Sequence, residues 1–213
     1  MKLLHSSIFI VFLLSFSTLS AQHRGKNSNR QFDLEMRAGA NFCQIDGDES
    51  GNFNKIGFHA SVGTSFPLSD DDRWRFVVEL GLTQKGSRID NNNIDRHISL
   101  TYVEVPLMVA YDFMERQQLR IAAGVAPAIL AKSNVTTDGS HDQLQSDNYK
   151  RLDLLPLCIS LRYRFTDTFG FDIRLYNSLL NIANENGTGT YRIFRSNKGQ
   201  FSRLIQAGLT LNF

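Results

Sequence analysis

LIQAGLTLNF, Leu204–Phe213, alternates in polarity from end to end. Ile205, Ala207, Leu209, Leu211 and Phe213 are apolar on one parity, while Gln206, Gly208, Thr210 and Asn212 follow Leu204 on the other. Side chains two apart share a face of a β-strand, so this is a strand with one greasy face and one polar face. It finishes on an aromatic with no polar tail. A water-soluble sheet gains little from such an ending, because chain ends fray. A closing barrel strand in lipid, with Phe213 as its anchor at the membrane boundary, accounts for the pattern.

Working outward, period two recurs in seven more segments, each long enough to cross a bilayer at a tilt, which takes roughly 9–11 residues. FDLEMRAGANF sets Phe32, Leu34, Met36, Ala38, Ala40 and Phe42 against Asp33, Glu35, Arg37 and Asn41. IGFHASVGTSF begins at Ile56, and WRFVVELGLTQKG at Trp74, with Arg75, Glu79 and Thr83 on its polar parity. In ISLTYVEVPLMVAY the apolar parity passes from even (Ile98, Leu100, Tyr102) to odd (Val103, Val105, Leu107), which predicts a bulge near Tyr102. Pro106 marks a further irregularity, since it cannot donate to a ladder. LRIAAGVAPAILA from Leu119, LLPLCISLRYRF from Leu154 and FGFDIRLYNSLL from Phe169 complete the set. Helical spacing is not sustained anywhere after residue 21. The expected fold is all-β: an eight-stranded antiparallel up-and-down transmembrane β-barrel.

The connections read long, short, long, short along the chain. CQIDGDESGNFNK, SRIDNNNIDRH, KSNVTTDGSHDQLQSDNYKR and NIANENGTGTYRIFRSNKGQ are long, whereas PLSDDDR, DFMERQQ and TDT are short. In an up-and-down barrel this gathers the long loops at one end, as transmembrane barrels do. The outward parity at the short-turn end supplies Phe32, Phe66, Trp74, Tyr111, Phe165, Phe169 and Phe213, a ring suited to the membrane–water boundary. Only the segment from Leu119 lacks a member.

A soluble eight-stranded barrel of the lipocalin kind would put its apolar parity inside. The polar parity argues otherwise. It carries Asp33, Glu35, Arg37, Arg75, Glu79, Glu104, Arg120, Arg162, Asp172 and Arg174, of both signs, within strands. An eight-stranded lumen holds side chains and little else, so opposite charges there can pair. A charge facing lipid at the midplane costs about 2–4 kcal/mol. Glu35, Arg37, Arg75, Glu79, Glu104, Arg120, Arg162, Asp172 and Arg174 are therefore expected to form a lumenal polar core.

The N-terminal stretch MKLLHSSIFIVFLLSFSTLSAQ has a basic residue, an apolar run from Ile8 to Leu14 and small residues up to Ala21. That is the layout of a secretory signal peptide over 1–21, cleaved before Gln22 and leaving 22–213 as one barrel domain. No cysteine follows the cleavage point to take a lipid anchor. The chain has 23 Lys and Arg against 21 Asp and Glu, interspersed, which argues against nucleic acid as a partner. The two cysteines, Cys43 and Cys158, are either a disulfide permitted by export or two isolated thiols.

Three motifs invite chemistry. DGDESGNFNK places Asp46, Asp48, Ser50 and Gly51 at calcium-loop spacings, but Gly57 stands where a bidentate Glu is needed, so a solvated hairpin loop is the simpler reading of Asp46–Asn52. His97, Ser99 and Glu104 are the types of a nucleophile–base–acid set, yet sharing a strand does not bring them into reach. His59 lies on the polar parity as a lumenal residue. No catalytic, cofactor or metal site is expected.

GANFCQIDGDESGNFNKIGFHASVGTSFPL, ELGLTQKGS, YVEVPLMVAY, LRIAAGVAPAILA and IRLYNSLLNI resemble, in the same order, the PorT-like outer-membrane β-barrel family. The likeness, recognisable above all in YxExPL, covers nearly all of 22–213. It implies a Gram-negative outer membrane and insertion by the barrel-assembly machinery reading a C-terminal aromatic strand. The namesake is linked to protease secretion, but no catalytic residues define the family. The expected partners are outer-membrane lipids and an envelope protein met through the loops Lys132–Arg151 and Asn181–Gln200, around a monomeric barrel.

Overall fold

The computed structural model describes residues 32–46, 53–69, 71–91, 94–113, 118–141, 147–153, 156–183 and 200–213. Among them run β1 (Asp33–Asp46), β2 (Lys55–Pro67), β3 (Trp74–Asn91), β4 (Ile94–Glu104), β5 (Leu107–Phe113), β6 (Leu119–Val125), β7 (Ala128–Thr137), β8 (Ser140–His141), β9 (Leu152–Asp153), β10 (Pro156–Arg164), β11 (Phe169–Ser178) and β12 (Phe201–Asn212). β4 continues as β5, β6 as β7 and β9 as β10, so these segments make eight staves, with β8 a short return on β7. Each stave pairs antiparallel with the next, and β12 pairs back onto β1 from Glu35↔Asn212 to Asp46↔Phe201. The sheet closes on itself and has no edge, which lets a strand structure satisfy its backbone without water.

Prolines explain why the fourth and fifth staves are split. Pro106 and Pro127 fall in the gaps of the fourth and fifth staves, and Pro156 begins β10. None can donate to the ladder. Their carbonyls still accept, from Glu79 N at 3.0 Å, Val105 N at 2.9 Å and Ala126 N at 3.0 Å respectively, so the wall stays continuous through the breaks.

The inside of the wall is polar along most of its length and the outside is greasy. On β11, Gly170, Asp172, Arg174, Tyr176 and Ser178 are buried while Phe171, Ile173 and Leu175 are exposed. On β12, Leu204, Gln206, Gly208 and Thr210 point in, and Leu209 is 62% exposed. Water rarely tolerates so continuous an apolar surface on a monomer.

Two expectations from the sequence need correction. The fourth stave does not change face at Tyr102: Ile98, Leu100, Tyr102, Glu104, Met108, Ala110 and Asp112 are all buried inward. The shift lies in its partner, where Thr101 pairs with Lys132 and Tyr102 with Leu130, leaving Ala131 as the extra residue on β7. The parity changes because the lumen changes polarity with height. Ile98, Leu100 and Tyr102 join Ile45, Val135, Tyr149 and Ile182 in an apolar cluster at the long-loop end.

Secondly, the SRIDN and IDRH ends of SRIDNNNIDRH and the start of KSNVTTDGSHDQLQSDNYKR are not loop. β3 and β4 pair as far as Asn91↔Ile94, and β7 runs on to Thr137 before turning through Asp138 and Gly139 into β8. Both turn residues have positive φ, 49° and 77°, the geometry of a tight hairpin whose twist matches the strands. Residues 47–52, 142–146 and 184–199, which hold most of the calcium-like loop and much of the two proposed contact loops, lie outside the described residues.

Candidate functional site

The lumen is the one place where this chain concentrates chemistry, and its layout follows from register. β10 and β11 bring Arg162 opposite Asp172 and Ser160 opposite Arg174, and β6 brings Arg120 opposite Arg162. All nine charges expected to face inward are buried.

Arg174 is fully buried at the centre of the arrangement. Its two Nη atoms donate to Glu79 Oε1 and Oε2 at 2.6 and 2.9 Å, and its Nε donates to Asp172 Oδ1 at 2.9 Å. Asp172 also accepts from Arg37 Nε and, at 2.7 Å, from Ser160 Oγ. Arg162 lies on Glu35 as a two-pronged pair, with Nη2 at 2.9 Å from Oε1. Arg120 stands 3.7 Å from the same Glu35 and clasps Asp112 with bonds of 2.6 and 2.9 Å. Arg162 Nε lies 3.8 Å from Asp172 Oδ2, joining the two halves. Charge-assisted and forked bonds are the strong kind, and four guanidiniums balance four carboxylates in this chain of contacts.

Neutral groups extend it. Arg37 donates to Gln206 at 2.7 Å, Ser61 to Glu79 at 3.0 Å, and Thr83 to Glu104 Oε1 at 2.5 Å. Glu104 makes no ion pair among the described residues, and its Oε2 has no hydrogen-bond partner there. Arg75 sits lower, 2.9 Å from Asp33 and bonded to Ser65. Nearer the loops, Lys85 is 3.5 Å from Asp153 and lies over the Tyr102 ring at 4.8 Å.

Several members were not anticipated. Asp112 belongs to β5 rather than to a turn, and its even parity with Met108 and Ala110 was the available signal. Lys85 lies within the expected third strand on the parity of Arg75, Glu79 and Thr83, which was the available signal, whereas Asp153 precedes the expected sixth segment, which begins at Leu154. His59 is a structural lumenal residue, with Nδ1 2.7 Å from Asn41 Oδ1.

The hydrolytic set does not assemble. Glu104 points into the lumen, whereas His97 and Ser99 occupy the opposite parity of β4, and Ser99 Oγ accepts from Gln84 Nε2 at 2.8 Å. Both cysteines are buried and free, Cys158 Sγ lying 3.6 Å from Met108 Sδ and Cys43 Sγ 3.4 Å from the Gln84 carbonyl. Asp46, the described member of the calcium-like loop, is engaged by Arg203 at 3.1 Å. No group of three potential metal ligands occurs among the described residues.

Outside, the short-turn end carries the aromatics. Phe32 meets Phe66 and Trp74 meets Tyr111 edge-on, both at 5.0 Å between centroids. Phe113 and Tyr163 extend the group, and both pair with Leu119, the position where the ring lacks its own aromatic.

Comparisons with known proteins agree with this architecture. Ail, the attachment invasion locus protein of Yersinia pestis, is 12% identical with a TM-score of 0.50, over 86% of this chain and 99% of that one. This likeness shows the fold. Neisserial surface protein A is 12% identical with a TM-score of 0.45, over 87% of this chain and 100% of that one. OprG from Pseudomonas aeruginosa is 10% identical with a TM-score of 0.40, over 87% and 98%. No curated protein sequence matches. A family described as outer membrane protein beta-barrel domain matches residues 20–184. The closed eight-stave wall, its greasy exterior and this match together place the chain in that family: it is an outer-membrane β-barrel protein.

Proposed function

We propose that this barrel has no catalytic task and serves the outer membrane of a Gram-negative cell as a rigid scaffold whose long connections meet other envelope molecules. Residues 1–21 act as its export signal, and the C-terminal strand with Phe213 guides its insertion. The observation that carries the reading is the lumen itself. Arg37, Arg120, Arg162 and Arg174 are tied to carboxylates on other staves, so the interior braces the wall and is packed rather than open. A braced wall leaves specificity to the loops at one end. The outward aromatics at the short-turn end, Phe32, Phe66, Trp74, Tyr111, Phe165, Phe169 and Phe213, fit the inner boundary of the bilayer in this orientation.

The test is a pull-down from gently solubilised outer membranes, with residues 142–146 and 184–199, taken from the two proposed contact loops, deleted in turn. Loss of a co-purifying envelope protein from a deletion variant that still folds supports the reading. Retention of every partner by a barrel lacking both segments contradicts it. An accessory part in protein export is the second reading, favoured by the YxExPL resemblance, whose Tyr102, Glu104 and Pro106 all face inward at the break in the fourth stave. It requires that the co-purifying proteins be components of an export machine.

A further inference from the structure

Of the inward charges anticipated from the sequence, Glu104 alone has no ion pair among the described residues. It is buried, and only its Oε1 is engaged, by Thr83 Oγ1. A buried carboxylate without a counter-charge is costly, and a cation or a proton relieves it. Within its field lie Cys158 and Tyr176. Met108 on β5 and Cys158 on β10 both pair with Gly124 of β6, the strand between them. Gly124 is on the inward parity and has no side chain, so the thiol and the thioether meet over it, Cys158 Sγ standing 3.6 Å from Met108 Sδ. Both residues are buried, as are the small Ala122 and Ala126 on either side of Gly124. Tyr176, the register partner of Cys158, is 4% exposed, and its hydroxyl has no hydrogen-bond partner among the described residues. Two sulfurs, a spare negative charge and an unpartnered hydroxyl therefore share one part of the lumen.

Thiolate and thioether ligands select soft cations such as Cu(I). Hard divalent cations want several oxygens, and no group of three His, Cys, Asp or Glu suited to a metal occurs among the described residues. A monovalent d10 ion, by contrast, is satisfied by two ligands. We propose that Cys158 and Met108 bind Cu(I) as a two-sulfur site in the lumen, with Glu104 as the proton acceptor. On binding, the S–H bond of Cys158 breaks, an S–Cu bond forms, and the proton passes to the Glu104 carboxylate, with no change of oxidation state. The lumen gains one positive charge, which cancels the one that Glu104 leaves unbalanced. Two metal–sulfur bonds of about 2.3 Å in line set the sulfurs roughly 4.6 Å apart. The extra distance of about 1 Å is within reach of the flexible Met108 side chain over the open space at Gly124.

The experiment refolds the barrel into detergent micelles with silver(I), a redox-stable stand-in for Cu(I), in chloride-free buffer. Native mass spectrometry then reads the metal held per barrel. The parent should hold one ion, C43A should also hold one, and C158A should hold none. M108L should bind at least about tenfold more weakly, since even a supporting group around a metal is worth about 10–100-fold in affinity. Exchanging Met for Leu conserves volume, so M108L reports on ligation even where C158A does not fold. Heat-modifiable migration shows which samples are folded. Loading in weak buffer with a pH indicator follows the proton: the parent should release none, and E104Q one per ion. A parent that retains no silver, equal affinity in the parent and M108L, or retention by folded C158A overturns the site. One proton released per ion by the parent overturns the part given to Glu104.

Discussion

Replacing Arg174 with alanine should be the most damaging single loss of charge in this barrel. The guanidinium is fully buried and makes three bonds to two carboxylates, at 2.6, 2.9 and 2.9 Å. Bonds to charged groups are worth about 1.5–3 kcal/mol each, which in a rigid site would total about 5–9 kcal/mol. Asp172 keeps Arg37, Arg162 and Ser160, so its share of the loss is cushioned. Glu79 keeps the Ser61 hydroxyl as a donor and, among the described residues, becomes a buried carboxylate without its cation. Removing one partner of a buried pair costs about 3–5 kcal/mol, and that is the expected loss of unfolding free energy.

The assay is urea unfolding in lipid-like detergent, followed by the fluorescence of Trp74, the one tryptophan of the sequence. Arg73→Ala is the matched control, since its pair with Asp71 spans 3.9 Å with both side chains more than half exposed; it should shift stability by less than about 1 kcal/mol. Arg174→Met combined with Glu79→Met should recover at least about 2 kcal/mol relative to the summed single changes, because no orphan charge remains. If Arg174→Ala unfolds with the parent, or no worse than Arg73→Ala, the lumen is hydrated and the bracing argument fails.

Further outcomes follow from the same structure. Glu35→Ala or Arg120→Ala should also lower the unfolding temperature in detergent, the first by taking the two-pronged partner of Arg162 and the second by taking the guanidinium that clasps the buried Asp112. Leu161→Arg, on the outer face of β10, should cost about 2–4 kcal/mol in a bilayer near its midplane, and a neutral result would contradict lipid contact there. Gly39→Ala should destabilise by about 1–3 kcal/mol, because a Cβ would lie 2.1 Å from the Ala207 carbonyl and force β1 and β12 apart; equal stability would refute so close an approach. Cys43 and Cys158 should resist a polar maleimide in the folded barrel and both react after unfolding, with labelling of the native protein counting against their burial.

Much of the wall was legible because its two faces meet different solvents. Ile173 and Arg174 are neighbours in sequence but face opposite sides of the wall, so strict alternation marks the strand and its facing. Alternation fails where the lumen itself turns apolar. Ile98, Leu100 and Tyr102 look like outward residues to a periodicity reading, and only the three-dimensional cluster with Tyr149 and Ile182 reveals them as interior. Strand ends were underestimated for a related reason. Arg88 and His97 lie in β3 and β4 but pair in a projecting hairpin outside the greasy band, where no hydrophobic contrast records the strand. The Asp138–Gly139 dipeptide was a hairpin signal in its own right. As for the lumen, sequence parity identifies which charges face inward. It does not say that Arg174 clasps Glu79 across the barrel, because those partners stand 95 residues apart and are set by closure.

The most direct test is a nitroxide scan along β11, residues 169–178, in a reconstituted bilayer. Labels at Phe171, Ile173 and Leu175 should collide readily with oxygen, which concentrates in hydrocarbon, and hardly at all with a polar nickel chelate; labels at the alternate positions should be shielded from both. High chelate accessibility at Phe171, Ile173 and Leu175 would mean that water covers that face, and a membrane-embedded wall could not be maintained.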